Sequence, residues 1–300
     1  MIYYRQKVLL NLILGFGGKL NSTDLQKLLF LFTQHQEKKS YDFVPYNYGC
    51  FSFQANKDLH SLYSKGLVEK QMDDPATFWI FNIPPKNFSL KISQKDSIAM
   101  ESIKQQFNDF TQNDLIKYTY TNFPYFATKS LIADKVLKKK ELIKVQRKKK
   151  DIKTKVLFTI GYEGINLEQY LNKLIINDVN FLCDIRKNPV SKKYGFSKTQ
   201  LMNACECVGI KYLHIPELGI DSEKRRMLNT IKDYQKLFSE YEKTVLKKNP
   251  DKLNLIFSLF HEHNRVSLTC FERDVQFCHR GIVAKALKNL PNWDIQINNL

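Results

Sequence analysis

The chain has 300 residues, 43% hydrophobic and 13% aromatic, with a formal net charge of +17. That composition excludes global disorder and leaves room for two domains. No apolar run reaches the roughly 18–20 residues of a membrane span, so no membrane partner is expected.

A first helix is expected at about residues 3–14, within MIYYRQKVLLNLILGFGG, which reads as a helix closing at glycine rather than as a signal peptide. Ser22 or Thr23 can cap the next helix, LQKLLFLFTQHQ, whose Leu25, Leu28, Leu29 and Phe32 recur at helical spacing. An aromatic loop, YDFVPYNYGCFS, follows. Ser52 then caps FQANKDLHSLYSKG, which Gly66 can end in a left-handed conformation. Two strand-like runs, LVEKQM and TFWIFNI, are joined by Asp73-Asp74-Pro75-Ala76, whose proline suits a type I turn. Helix, helix and hairpin in that order predict a winged-helix-like module over residues 1–134. In that fold a helix enters the DNA major groove. Gln54 and Lys57 on the candidate reading helix offer a base-edge and a phosphate contact. The segment FVPYNYGCFS can equally serve as an apolar platform for a protein partner or a second copy. Ser93, with Asp96 three residues on, opens a further helix carrying Ile98, Ile103, Phe107 and Phe110, and Asp114 is expected to cap LIKYTYTNF.

Residues 135–155 read as a basic linker. Eleven Lys or Arg face only Glu141 and Asp151, about half of the net excess. Lys138, Lys139, Lys140, Arg147, Lys148, Lys149 and Lys150 are the expected nucleic-acid contacts, with DNA the expected partner.

From residue 156 to 300 short apolar strands alternate with helices. Strands are expected in VLFTIGY, VNFLCDIR, IKYLHIP and RVSLTC. Helices are expected in NLEQYLNKLIIN, KTQLMNACECVG, one long stretch over 223–248, a further one over 250–262, and HRGIVAKALKNL. Such alternation predicts an α/β domain with a mainly parallel sheet flanked by helices. Ligands bind beyond the carboxyl ends of such strands, so the residues there are the site candidates. Glu163, Asp184, Glu217, Glu272 and His279 are candidate acids or bases. Cys270 and Cys278 are candidate nucleophiles, and Arg186, Lys187, Arg280 and Tyr162 a candidate anion cradle. Each also has a structural reading: Asp184 and Arg186 share a strand face and can form a plain ion pair. No metal site is expected, because the spacing of Cys270, Cys278 and His279 matches no standard zinc pattern. The six cysteines form no disulfide framework and no CxxC pair, which with the lack of a signal peptide makes the cytoplasm the expected compartment. GxGxxG, GxxxxGK[ST] and HExxH are absent, which disfavours nicotinamide, Walker-type and zincin chemistry and leaves the cofactor unassigned.

The runs FTIGYEG, FLCDIRKNPVSKKYGFSKTQL, GIKYLHIPELG and LTCFERDVQFCHRGIVAKAL resemble, in order and spacing, the bacterial "domain of unknown function 488" family over about residues 156–290. The family's run of a cysteine, an acid and Cys-His-Arg falls on Cys270, Glu272, Cys278, His279 and Arg280. Its Asp-x-Arg with Asn-Pro falls on Asp184, Arg186, Asn188 and Pro189. The resemblance implies an α/β fold with an active site, and no particular reaction. The first half resembles helical modules that include Panacea-type antitoxin domains, with Cys50 where such modules often carry proline, implying a bacterial defence context.

Together these features point to a nucleic-acid-associated hydrolase that cleaves a phosphodiester or N-glycosidic bond in a nucleic acid or nucleotide. The alternatives are a non-enzymatic DNA-binding sensor whose pocket holds a nucleotide or modified base, and a sulfur-transfer or phosphatase-like enzyme using Cys270 or Cys278. For the last, the tight Cys-loop-Arg spacing of rhodanese-type domains is missing.

Overall fold

A computed structural model describes residues 2–74, 76–82, 89–150, 152–225 and 228–300. Pro75 of the expected turn, Ile83 at the end of the second strand run, Asp151 and residues 226–227 of the expected long helix lie outside them. The chain divides into two compact units, Met1–Lys149 and Lys150–Leu300. No described helix is long and apolar enough to cross a membrane.

In the first unit α1 (Tyr4–Gly15), β1 (Lys19–Asn21), α2 (Ser22–Gln34), β2 (Val44–Tyr46), β3 (Gly49–Phe51), α3 (Phe53–Ser64), β4 (Val68–Asp73) and β5 (Ala76–Phe81) follow in order. β1, β5 and β4 form an antiparallel sheet in that order, and β2 pairs with β3. The aromatic segment expected as a loop is thus a short hairpin. Asn21, not Ser22 or Thr23, caps α2, its side chain accepting from Asp24 N at 2.8 Å. Ser22 is engaged elsewhere, its hydroxyl taking the indole N–H of Trp79 at 3.0 Å. Ser52 caps α3 as expected, and Gly66 has φ +68°.

α4 (Gln94–Phe107) and α5 (Gln112–Asn122) follow. Of the apolar set expected on this helix, Ile98 and Phe110 are 65% and 37% exposed, Phe110 lying beyond the end of α4, while Ile103 and Phe107 are buried. Thr111 caps α5, and Asp114 completes the reciprocal box instead of capping. The segment expected as a linker is largely helical: α6 (Ala133–Val136) and α7 (Lys139–Lys148) bury Ala133, Leu137 and Val145 against Ile116 and Tyr120 of α5.

The second unit contains β6 (Val156–Gly161), α8 (Leu167–Ile176), β7 (Phe181–Asp184), α9 (Lys198–Cys207), β8 (Lys211–His214), α10 (Ile231–Tyr241), α11 (Pro250–Ser258), β9 (Arg265–Cys270), α12 (His279–Lys288) and β10 (Gln296–Asn299). Five strands form one parallel sheet in the order β10-β6-β9-β7-β8. β6, β7 and β9 are buried along their whole length, as strands covered on both faces must be. Leu157, Cys183, Val266 and Leu268 pack with Leu237, Tyr241, Leu253, Ile256, Val283 and Leu287 of α10, α11 and α12. The alternate residue Thr269 faces the other way and takes a bond from Tyr170 of α8 at 2.8 Å. The helix expected over 223–248 is shorter: Ser222–Arg225 is a 3-10 turn, and α10 begins only after Thr230, whose side chain caps it with Asp233. β10, unforeseen in the sequence, closes one edge of the sheet.

Candidate functional site

The site is built where β6, β7 and β9 end. After Cys270 the chain turns across the end of β6, so closely that a Cβ on Gly161 would lie 1.8 Å from the carbonyl oxygen of Glu272. Glycine is required here by contact, whatever the backbone angles. The backbone N–H groups of Tyr162 and Glu163 donate to the Phe271 carbonyl at 3.1 and 2.9 Å and fix the crossing. The turn Val275–Phe277, capped by Asp274, then delivers Cys278 and His279 to the first residues of α12. Arg280, expected to bind an anion, is 1% exposed and holds this loop instead. It donates to the carbonyls of Glu272 and Arg273 at 2.5 and 2.9 Å and to Thr159 Oγ1 at 3.3 Å.

The loop brings five polar groups together. His279 Nε2 donates to the Ile185 carbonyl of the β7 end at 3.0 Å, so in the neutral imidazole Nδ1 is an acceptor. Arg225 Nη2 donates to that Nδ1 at 2.7 Å. Cys270 Sγ lies 3.7 Å and Cys278 Sγ 4.0 Å from the same nitrogen. Glu272 Oε2 is 3.3 Å from Cys270 Sγ, and its other oxygen is paired with Arg225. Burial alone would raise the Cys270 thiol, but the Cys278 hydrogen bond and the charges of its neighbours, Arg225 among them, outweigh it and hold Cys270 well below the ordinary value. Cys278 moves the opposite way, raised by burial and by the adjoining Cys270. Glu272 is raised by burial and by Cys270, against the pull of Arg225.

A second group lies on the other face of the sheet end. Asp184 is fully buried and accepts from Arg186 Nε at 2.8 Å, Arg186 Nη2 at 2.5 Å, the Arg186 backbone N at 3.1 Å and Tyr212 Oη at 2.6 Å. Its lone pairs are taken, so as an acid or base it is spoken for. Arg186 Nη1 also donates to Tyr162 Oη at 2.9 Å and to the Phe196 carbonyl at 2.7 Å, and Tyr162 stacks on Phe196 at 4.2 Å between centroids. Burial works against the Arg186 charge, yet Asp184 overcomes it and keeps the guanidinium protonated.

Between the two groups opens a cavity of about 300 Å³ lined by Tyr162, Arg186, Lys187, Lys192, Arg225, Cys270 and His279, among others. Lys187 and Lys192 are exposed at its rim. The close passage of Lys187 N to Gly219, where a Cβ would sit 2.2 Å away, sets the position of the β7 loop. Glu163 is not on this wall. It accepts from Arg273 N at 3.0 Å and lines a neighbouring hollow of about 350 Å³ with Arg225 and Glu272. Glu217 pairs with Lys252 at 3.3 Å.

In the first unit Lys57 is exposed on α3, whereas the Gln54 amide donates to Asp58 Oδ1 at 3.1 Å. Lys138, Lys139, Lys140, Arg147, Lys148, Lys149 and Lys150 are all exposed on or beside α7. Arg225, Tyr212 and Lys192 are site residues that sequence reasoning missed, Lys192 because it lies in the loop beyond the residues considered at the β7 end. Arg225 sits in a segment read as plain helix, and Tyr212 within a strand whose end alone was considered.

A comparison with curated proteins finds no match. A family model described as "Domain of unknown function DUF488" matches residues 166–287. That span runs from the cap of α8 to the last turn of α12. It contains both the Asp184–Arg186 pair and the whole loop from Cys270 to Arg280, and the second unit of this chain belongs to that family.

Proposed function

We propose that the protein is a nucleic-acid-associated hydrolase whose second unit cleaves a phosphodiester or N-glycosidic bond of a nucleic acid or nucleotide. The observation that carries this reading is the cavity at the strand ends, lined by the cations Arg186, Lys187 and Lys192 and by Cys270 and His279, with Glu272 against Cys270 in the neighbouring hollow. Lys187 and Lys192 at the rim suit a phosphate, since Lys and Arg are its usual protein partners. Glu272 and His279 supply groups for proton transfer beside it. The helix-strand order of the first unit, with an antiparallel pair after α3, supports a winged-helix reading and hence DNA. The exposed lysines of α7 support backbone contact.

The test is incubation of the full chain with duplex DNA, single-stranded DNA, RNA and nucleotides, followed by product analysis. We expect turnover that falls by about 10²–10⁴-fold in Glu272→Gln and in His279→Gln while DNA affinity is kept. Turnover equal to the parent's in both variants, or binding of every substrate class without product, would overturn the reading.

A further inference from the structure

Cys270 Sγ, Cys278 Sγ and His279 Nδ1 lie within 4.8 Å of one another, and all three residues are buried. The distances from Nδ1 to the two sulfurs are 3.7 and 4.0 Å. In a tetrahedral zinc site, bond lengths of about 2.3 Å to sulfur and 2.0–2.1 Å to nitrogen put neighbouring donors about 3.6 Å apart. Both nitrogen–sulfur separations are thus close to one edge of a coordination tetrahedron, and the two sulfurs lie within 4.8 Å. The imidazole is already oriented for it: Nε2 is spent on the Ile185 carbonyl, the outer bond by which metal-binding histidines fix their tautomer, and Nδ1 is left as the acceptor, taken here by Arg225 Nη2 with both sulfurs nearby. Spacing along the chain argued against a shared site, because an eight-residue separation of two cysteines fits no zinc-finger pattern. The turn Val275–Phe277 removes that objection by folding the intervening residues back, so that the sulfurs meet.

We propose that Cys270, Cys278 and His279 bind one zinc ion and leave its fourth position open to the strand-end cavity, which Cys270 and His279 both line. Two thiolates and an imidazole select zinc over hard cations such as magnesium. Three protein ligands with an open vertex is the arrangement in which zinc activates water. In this structure Arg225 is the cation at the focus, touching His279 Nδ1 and lying 3.9 Å from Cys270 Sγ. Zinc displaces Arg225 from the nitrogen, and Arg225 keeps its pairing with Glu272. The use of the metal rests on the hydrolytic reading above; its binding does not.

The experiment is a titration of the metal-stripped full chain with Co²⁺, in a Cys207→Ser background because that cysteine is exposed. One cobalt per chain is expected, with a thiolate-to-cobalt charge-transfer band, intense visible bands of tetrahedral coordination, and bleaching by Zn²⁺. Cys270→Ser, Cys278→Ser and His279→Gln should each weaken binding by more than about 100-fold, beyond what loss of an outer partner costs. Arg225→Gln should bind at least as tightly as the parent, because a competing cation has gone. A folded parent chain that takes up no cobalt, or gives only weak octahedral bands, overturns the proposal, and so does unchanged binding in Cys278→Ser. If a ligand variant fails to fold, the parent titration and Arg225→Gln still decide. Because cobalt is read without substrate, tetrahedral binding with no turnover would sink the hydrolase reading and leave the zinc site standing.

Discussion

Asp184 shows how far a residue's type can mislead about its role. An acid at a strand end suggests catalysis, yet its oxygens accept from Arg186 and Tyr212, and the pair is buried at 0% and 6% exposure of the side chains. Asp184→Asn keeps the shape but leaves the Arg186 charge without its counterion in a buried setting. The cost should be about 3–5 kcal/mol. Urea denaturation followed by Trp293 in a Trp79→Phe background would measure it, and a cost under about 1 kcal/mol would show the pair to be no more than a surface-like bridge. Lys27 makes a second case. Its amine is buried, donates to the Tyr48 carbonyl, and is pushed below its ordinary 10.5 by burial, which the nearby Cys50 and Asp24 only partly oppose. Between the lowered value and 10.5 the unfolded chain binds more protons at this group than the folded one. Stability from Lys27 therefore rises with pH through that window and is flat below it. Relative to Lys27→Met, the wild type should gain stability as the pH climbs towards 10.5, read from urea midpoints with Trp79 as reporter in a Trp293→Phe background. A constant difference between the two proteins across that range would contradict the assignment. The Asp184–Arg186 pair was legible as an option from its i, i+2 spacing, but Tyr212, which completes it, and the Tyr48 and Cys50 that surround Lys27 lie more than twenty residues away, and no local pattern announces them.

At the scale of elements, long periodic segments were legible and short ones were not. α2 and α8 carry apolar residues at helical spacing, and β6 and β9 are unbroken buried runs. β1, β2 and β3 are three residues each, too short to display an alternation, and exist because a neighbour supplies their hydrogen bonds. β10 is likewise made by the edge of β6. The basic stretch after residue 135 was misjudged for a related reason. Its lysines outnumber its apolar residues, but Leu137 and Val145 are placed to dock on α5, and tertiary burial outweighs composition. α7 consequently presents its charges on a fixed helix. If these meet phosphates, Lys139→Gln, Lys140→Gln, Lys144→Gln and Lys148→Gln together should flatten the dependence of log K on log salt for duplex DNA, by about 0.9 for each phosphate no longer neutralised. Glutamine keeps helix propensity close to that of lysine, so circular dichroism should not change. An unaltered salt slope would mark α7 as a solvated face only.

For the whole molecule, hydrophobic patterning and composition by themselves determined that an α/β unit with a parallel sheet follows a mostly helical one along the chain, and pointed to the strand ends as the place for a candidate site. These follow from local periodicity, which acts between residues a few positions apart and is written directly in the chain. What only the tertiary structure decided is how the residues at those ends divide. Arg280 and Asp184 became internal braces, Arg225 entered from a segment with no motif of its own, and Cys270, Cys278 and His279 converged on one point. Such divisions depend on the path of loops such as 271–278 and on close approaches like that of Gly161 to Glu272. Those approaches join residues far apart in sequence, and no period in the chain encodes them.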